Sequence, residues 1–170
     1  EGPQRVRDLI KWGAKFDVQT DGMIKYTTEG GHSEARILHA GGDATGAEIV
    51  NALFQKASSI SNISILQFHY VIDLLHFDNV CYGALVLDRN TGRKMGILAK
   101  QTILATGGAG CVYQDTTNPL SATGDGSAIA FRAGADLINL EFMQFHPTTL
   151  YIAGAPRFLI SEAVRGEGGI

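Results

Sequence analysis

Residues 103–108 read Ile-Leu-Ala-Thr-Gly-Gly, and the fold turns on them. An apolar run over Thr102–Ala105 that passes straight into glycines predicts a buried strand ending in a tight loop. Small residues and free backbone N–H groups would then lie at the carboxyl end of a sheet, where open α/β folds hold nucleotides. The plainer reading is a strand-to-loop turn with no ligand. A GxGxxG fingerprint occurs nowhere in the 170 residues. Any pyrophosphate loop therefore belongs outside this chain.

Outward from that stretch, the pattern alternates helices and strands. Pro3–Gly13 predicts a helix, with a proline suited to the first turn and Val6, Leu9 and Ile10 at helical spacing. Asp43–Ser58 predicts a second, striped by Ile49, Val50, Leu53 and Phe54. ISILQFHYVIDLLHF and VCYGALVLD read as strands joined at Asp78-Asn79, and Asn90-Thr91-Gly92 marks the next turn. GSAIAFRAGA predicts a third helix from near Gly126 to Gly134. The chain begins on a helix and stops on RGEGGI, so both ends look like cuts and a piece of a longer protein is expected.

Composition excludes several classes. Apolar residues at 45% against 18% charged describe a packed domain rather than a disordered segment. A net charge of -3 with no basic stretch argues against nucleic acid as a partner. No apolar run approaches the roughly 18 residues of a membrane span. Two cysteines, Cys81 and Cys111, without metal spacing, argue against a disulfide framework or a metal site and for a reducing cytoplasm.

Three further stretches carry polar groups suited to chemistry. Ala122-Thr123-Gly124-Asp125-Gly126 precedes a helix. Its glycines permit close approach, and Asp125 has the chemistry to accept hydroxyl hydrogen bonds from a ribose or ribityl chain. An ordinary Asp or Thr N-cap is the rival explanation. Glu29-Gly30-Gly31-His32-Ser33 is either a polar site wall or an exposed loop. His146, in FMQFHPTTL, is either a packed core histidine or a donor into a pocket, together with Ser161 and Glu162. A Ser–His nucleophile is disfavoured because no GxSxG elbow surrounds Ser161.

Taken in order, EGGHS, RILHAGGDATG, VIDLL, ILATGGAG, TTNPLSATGDG, FRAGADL, EFMQFHPT and LISEAVRGEGG resemble the flavoprotein family of succinate dehydrogenase, fumarate reductase and L-aspartate oxidase. Eight collinear motifs cover nearly the whole chain. The resemblance implies an α/β protein, part of a Rossmann-like FAD-binding domain with the start of an α+β capping domain. It places the partial FAD-binding domain at 1–145 and the capping or substrate domain at 146–170. FAD is the implied cofactor, contacted at Val71, Thr106, Gly107, Gly108 and Asp125.

His146, Ser161 and Glu162 correspond to groups that hold the substrate's carboxylate. Ser161 stands where threonine is usual, keeping the hydroxyl and losing a methyl. Glu29 matches the acid of the aspartate-oxidase branch that orients the substrate ammonium. The implied activity is oxidation of L-aspartate to iminoaspartate by hydride transfer to flavin N5, with oxygen or fumarate as acceptor. The implied product user is quinolinate synthase in NAD biosynthesis, in the cytoplasm. The family's catalytic arginine falls beyond Ile170, so no catalytic residue is expected within this chain and the piece is not expected to turn over alone. A succinate dehydrogenase or fumarate reductase subunit, and a non-catalytic FAD- or dicarboxylate-binding module, are the alternatives.

Overall fold

The computed structural model describes residues 1–146, 148–154, 157–160 and 164. Two compact units emerge, one built from Glu1–Ile65 together with Ile160 and Val164, the other from Leu66–Leu159.

In the first unit, helix α1 (Gly2–Lys11) starts with its proline in the first turn, where the missing N–H costs nothing. It packs against helix α2 (Thr45–Ser58), which buries Ala52. Between them, strand β1 (Tyr26–Thr27) pairs antiparallel with β2 (Ile37–Leu38), Tyr26 opposite Leu38. The carboxylate of Asp17 ties the Gly-Gly entry to α2. It accepts the N–H of Gly41 at 2.9 Å and that of Gly42 at 3.3 Å.

In the second unit, strands β3 (His69–Phe77), β4 (Val80–Asp88) and β5 (Lys94–Leu98) form an antiparallel meander in that order. The β3–β4 turn is Asp78-Asn79, with φ of 48° and 59°. Left-handed residues at both central positions give the primed turn whose twist matches the strands. Helix α3 (Asp125–Arg132) lies on β3 and buries Ile129, while Val86 anchors the sheet. Farther along, β6 (Thr149–Leu150) pairs antiparallel with β7 (Phe158–Leu159).

Two expectations need correction. The strand read from ISILQF onward begins only at His69, because Phe68 adopts φ 58° and turns the chain there. Thr102–Ala105, expected as a strand, joins no ladder among the described residues, and Ile103 is 89% exposed. Apolar character makes a segment suitable for a sheet, but a strand exists only where a neighbour takes up its N–H and C=O groups. All ladders among the described residues are antiparallel.

Candidate functional site

The loop after Ala105 sits directly on the first turn of α3. A Cβ at Gly126 would overlap the Thr106 hydroxyl, and one at Gly124 would come within 3.0 Å of the Ala109 Cβ. Gly124, the N-cap, has φ 77° and donates its N–H to the Gly108 carbonyl at 3.2 Å. The N–H of Cys111 closes the same seam on the Ala122 carbonyl at 2.9 Å. By contrast, a Cβ at Gly107 or Gly108 would meet nothing within 4 Å. One side of this loop is fixed by α3; the other is bare backbone facing open space.

Asp125 is the first helical residue, and neither it nor Thr123 caps the helix through its side chain. The N-cap explanation therefore fails here. Its Oδ2 instead accepts two hydroxyls, Tyr70 and Thr123, each at 2.9 Å. No donor among the described residues reaches Oδ1. The carboxylate is thus oriented, placed at the positive end of a helix, and has one oxygen available. The Tyr70 phenol is raised above its usual pKa of 10.0, first by its hydrogen bond to Asp125 and then by that residue's negative charge.

Val71 follows Tyr70 on β3, opposite Val86, with a bulge between Val71 and Asp73. Arg132 of α3 reads this irregularity. Its NH2 group donates to the Ile72 carbonyl at 3.3 Å, and Nε to Asp73 Oδ2 at 2.9 Å. The Arg132 hydrogen bond holds the Asp73 carboxyl below its ordinary 3.8. Tyr70–Asp125 and Asp73–Arg132 therefore pin α3 to β3 near both of its ends.

His146 lines a cavity of about 170 Å³ within the second unit. Thr116, Asn118, Thr149 and Arg157 supply its polar wall, and Tyr113 and Phe145 its apolar one. The two rings meet edge to face, centroids 5.0 Å apart at 79°. His146 Nδ1 lies 3.1 Å from the Thr148 amide nitrogen and 2.9 Å from the Thr148 carbonyl oxygen, so the ring is anchored to that residue through Nδ1. Arg157 donates to Asp115 Oδ1 from Nε at 3.0 Å and from NH2 at 2.7 Å. Its guanidinium carbon lies 4.2 Å from the centre of the Tyr151 ring.

Glu29, in the first unit, opens a turn in which the His32 N–H donates to its carbonyl at 3.0 Å. His32 Nδ1 accepts the Glu29 N–H at 3.4 Å. Its half-buried side chain has no partner for the carboxylate among the described residues. Ser161 and Glu162 lie outside the described residues. The structure therefore brings Thr106, Gly107, Gly108 and Asp125 together, sets Val71 beside the Tyr70 that holds Asp125, and gives His146 a cavity.

Sequence reasoning missed Tyr70, Asp115 and Arg157. Their partners stand 55 and 42 residues away, so no local spacing announces them. Among the described residues no helix is long and apolar enough to cross a membrane, and no three metal-binding side chains converge.

A family model described as FAD binding domain matches residues 1–170. The chain belongs to the FAD-binding domain family. Chloroplastic L-aspartate oxidase of Arabidopsis thaliana is 48% identical, with 100% of this chain and 28% of the relative covered. L-aspartate oxidase 1 of Ralstonia nicotianae is also 48% identical, over 99% of this chain and 33% of its own length. A solved structure of E. coli quinol fumarate reductase superposes with a TM-score of 0.91 at 34% identity, covering 99% of this chain and 28% of that one. This FAD-binding domain chain thus spans about a third or less of the proteins it resembles.

FAD is the cofactor of the family, and the residues present fit it. The bare face of Gly107-Gly108 leaves room for a ligand, and the available Asp125 oxygen suits a sugar-like hydroxyl.

Proposed function

We propose that this chain is the central part of an L-aspartate oxidase, an FAD-dependent enzyme that converts L-aspartate to iminoaspartate. The observation that carries the reading is the His146 cavity, whose His, Thr and Asn side chains have the hydrogen-bonding chemistry a carboxylate needs. The names and identities of the two relatives support it. Bound FAD supplies the two-electron acceptor for the hydride leaving the substrate α-carbon.

The chain's own residues do the positioning. Asp125 holds a cofactor hydroxyl through Oδ1, while Thr106, Gly107 and Gly108 allow the backbone to approach and Val71 offers its main chain. His146 hydrogen-bonds one substrate carboxylate, assisted by Ser161 and Glu162. Glu29 attracts the substrate ammonium and so favours aspartate over succinate, a discrimination that rests on opposite charge rather than shape. On this reading residues 1–145 belong to the FAD-binding domain and residues from His146 onward begin the capping domain. Oxygen or fumarate accepts the electrons, and iminoaspartate passes to quinolinate synthase for NAD biosynthesis in the cytoplasm.

The likeness to fumarate reductase favours a second reading, a succinate- or fumarate-directed flavoprotein subunit. The two separate on one experiment. The intact protein is mixed anaerobically with L-aspartate and, separately, with succinate while the flavin absorbance is followed. Bleaching by aspartate alone is expected; bleaching by succinate alone moves the chain to the second reading.

A further inference from the structure

Asp115 and Arg157 come from the two sides of the His146 cavity. Asp115 belongs to the loop at 113–118, and Arg157 directly precedes β7. The guanidinium is restrained three ways. Two of its N–H groups converge on a single Asp115 oxygen, the Tyr151 ring lies against it, and its side chain is only 24% exposed. Tyr151 immediately follows β6, so one cation ties both strands of the β6–β7 pair to the loop opposite. The pair Tyr113–Phe145 makes a second link between the same loop and the His146 segment.

We propose that Arg157 is a positioning residue. Clamped between Asp115 and Tyr151, it sets the separation of the 113–118 loop from β6–β7 and so the width of the cavity lined by His146. This rests on the reading of that cavity as the carboxylate site. The planar fork suits the task better than lysine, because it satisfies a carboxylate along its edge while its face stacks on an aromatic ring. Arg157 acts through the walls it holds and does not touch the substrate. The charge it carries is already balanced by Asp115.

The test uses the full-length, FAD-loaded protein and the variants Asp115→Asn, Arg157→Gln, the two combined, and Arg157→Lys. KM and kcat are measured with L-aspartate. Malonate, a dicarboxylate with no oxidisable C–N bond, is titrated as a binding probe through its perturbation of the flavin spectrum. Each single neutral variant is expected to raise KM and weaken malonate by roughly three- to tenfold, the size of a partly exposed ion pair plus a stacked cation. FAD occupancy, which reports folding, and kcat are expected to stay near wild type, and Arg157→Lys to recover part of the loss. The combined variant is expected to be no worse than either single one, because both cut the same link. Arg157→Gln weakening binding while Asp115→Asn leaves or improves it would mean direct contact and overturn the positioning role. Unchanged binding in all four variants also overturns it. If wild type neither binds malonate nor is reduced by L-aspartate, the dicarboxylate reading itself falls and takes this role with it.

Discussion

Alanine placed at the second residue of two different helices should act with opposite sign. Gly46 in α2 and Gly126 in α3 each follow the first helical residue. A Cβ at Gly46 would meet nothing within 4 Å. Gly46→Ala is therefore governed by backbone freedom alone and should stabilise by about 0.5–1 kcal/mol. At Gly126 the same Cβ would overlap the Thr106 hydroxyl and lie 2.7 Å from its Cβ and 3.0 Å from its Cγ2. Rotating the threonine moves the hydroxyl and methyl but cannot move the Cβ, so the loop itself must shift. Overpacking of this kind costs about 1–3 kcal/mol, which exceeds the propensity gain. The net effect of Gly126→Ala should be a loss of about 1–2 kcal/mol.

Because the displaced loop is Thr106-Gly107-Gly108, FAD occupancy of the purified full-length protein should fall as well. Differential thermal melts and the ratio of flavin to protein absorbance read both effects. A higher midpoint for Gly126→Ala with full flavin content would refute the close seating of this loop on α3. Stabilisation by Gly46→Ala is the internal control that the propensity term has the stated sign.

Other outcomes follow from the contacts. Tyr70→Phe removes one of two hydroxyls on Asp125 Oδ2 and should weaken FAD binding a few-fold, measured by titrating the apoprotein with FAD and following quenching of flavin fluorescence. In the intact chain the Tyr70 phenolate should form above the usual 10.0, followed by absorbance against Tyr70→Phe. Its protonated form is favoured by folding, so this contribution is present below 10.0 and lost as pH rises through the raised value. Asp73 runs the other way. Its pKa is lowered, so the Arg132 pair contributes fully above 3.8 and fades as pH falls through the depressed value.

Both side chains of that pair are a third or more exposed, so Arg132→Met should cost less than about 1 kcal/mol near neutrality, and less still in high salt. The difference from wild type, read by urea midpoints, should shrink in acid to what the Ile72 hydrogen bond supplies; a difference that does not change with pH would count against the pair. Glu29→Gln should keep FAD and lose the preference for aspartate over succinate, and an unchanged preference would return Glu29 to an ordinary loop carboxylate.

Much of this was legible in the sequence because the deciding information is local. The apolar spacing of α2, the left-handed Asp78-Asn79 pair between β3 and β4, and the glycines before α3 each announce themselves within a few residues. The Thr102–Ala105 strand did not form because pairing is a property of two segments, and the composition of one cannot supply the other. Phe68 delayed the start of β3 through a backbone angle that a phenylalanine rarely adopts and that no propensity foretells. At the site, Asp125 and His146 were visible as motif residues. Tyr70, Asp115 and Arg157 were not, since their meaning lies in partners brought together only by the fold.

The β3–β4–β5 meander has a consequence for how the protein assembles. Its strands are consecutive in sequence, joined by loops of two and five residues, so closing them costs little chain entropy. It needs no contact from distant parts of the chain to begin. Tyr70 and Asp73 ride on its first strand, ready to receive Asp125 and Arg132 when α3 arrives. The meander is thus suited to act as a template, on which docking one short helix puts the Asp125 carboxylate in place.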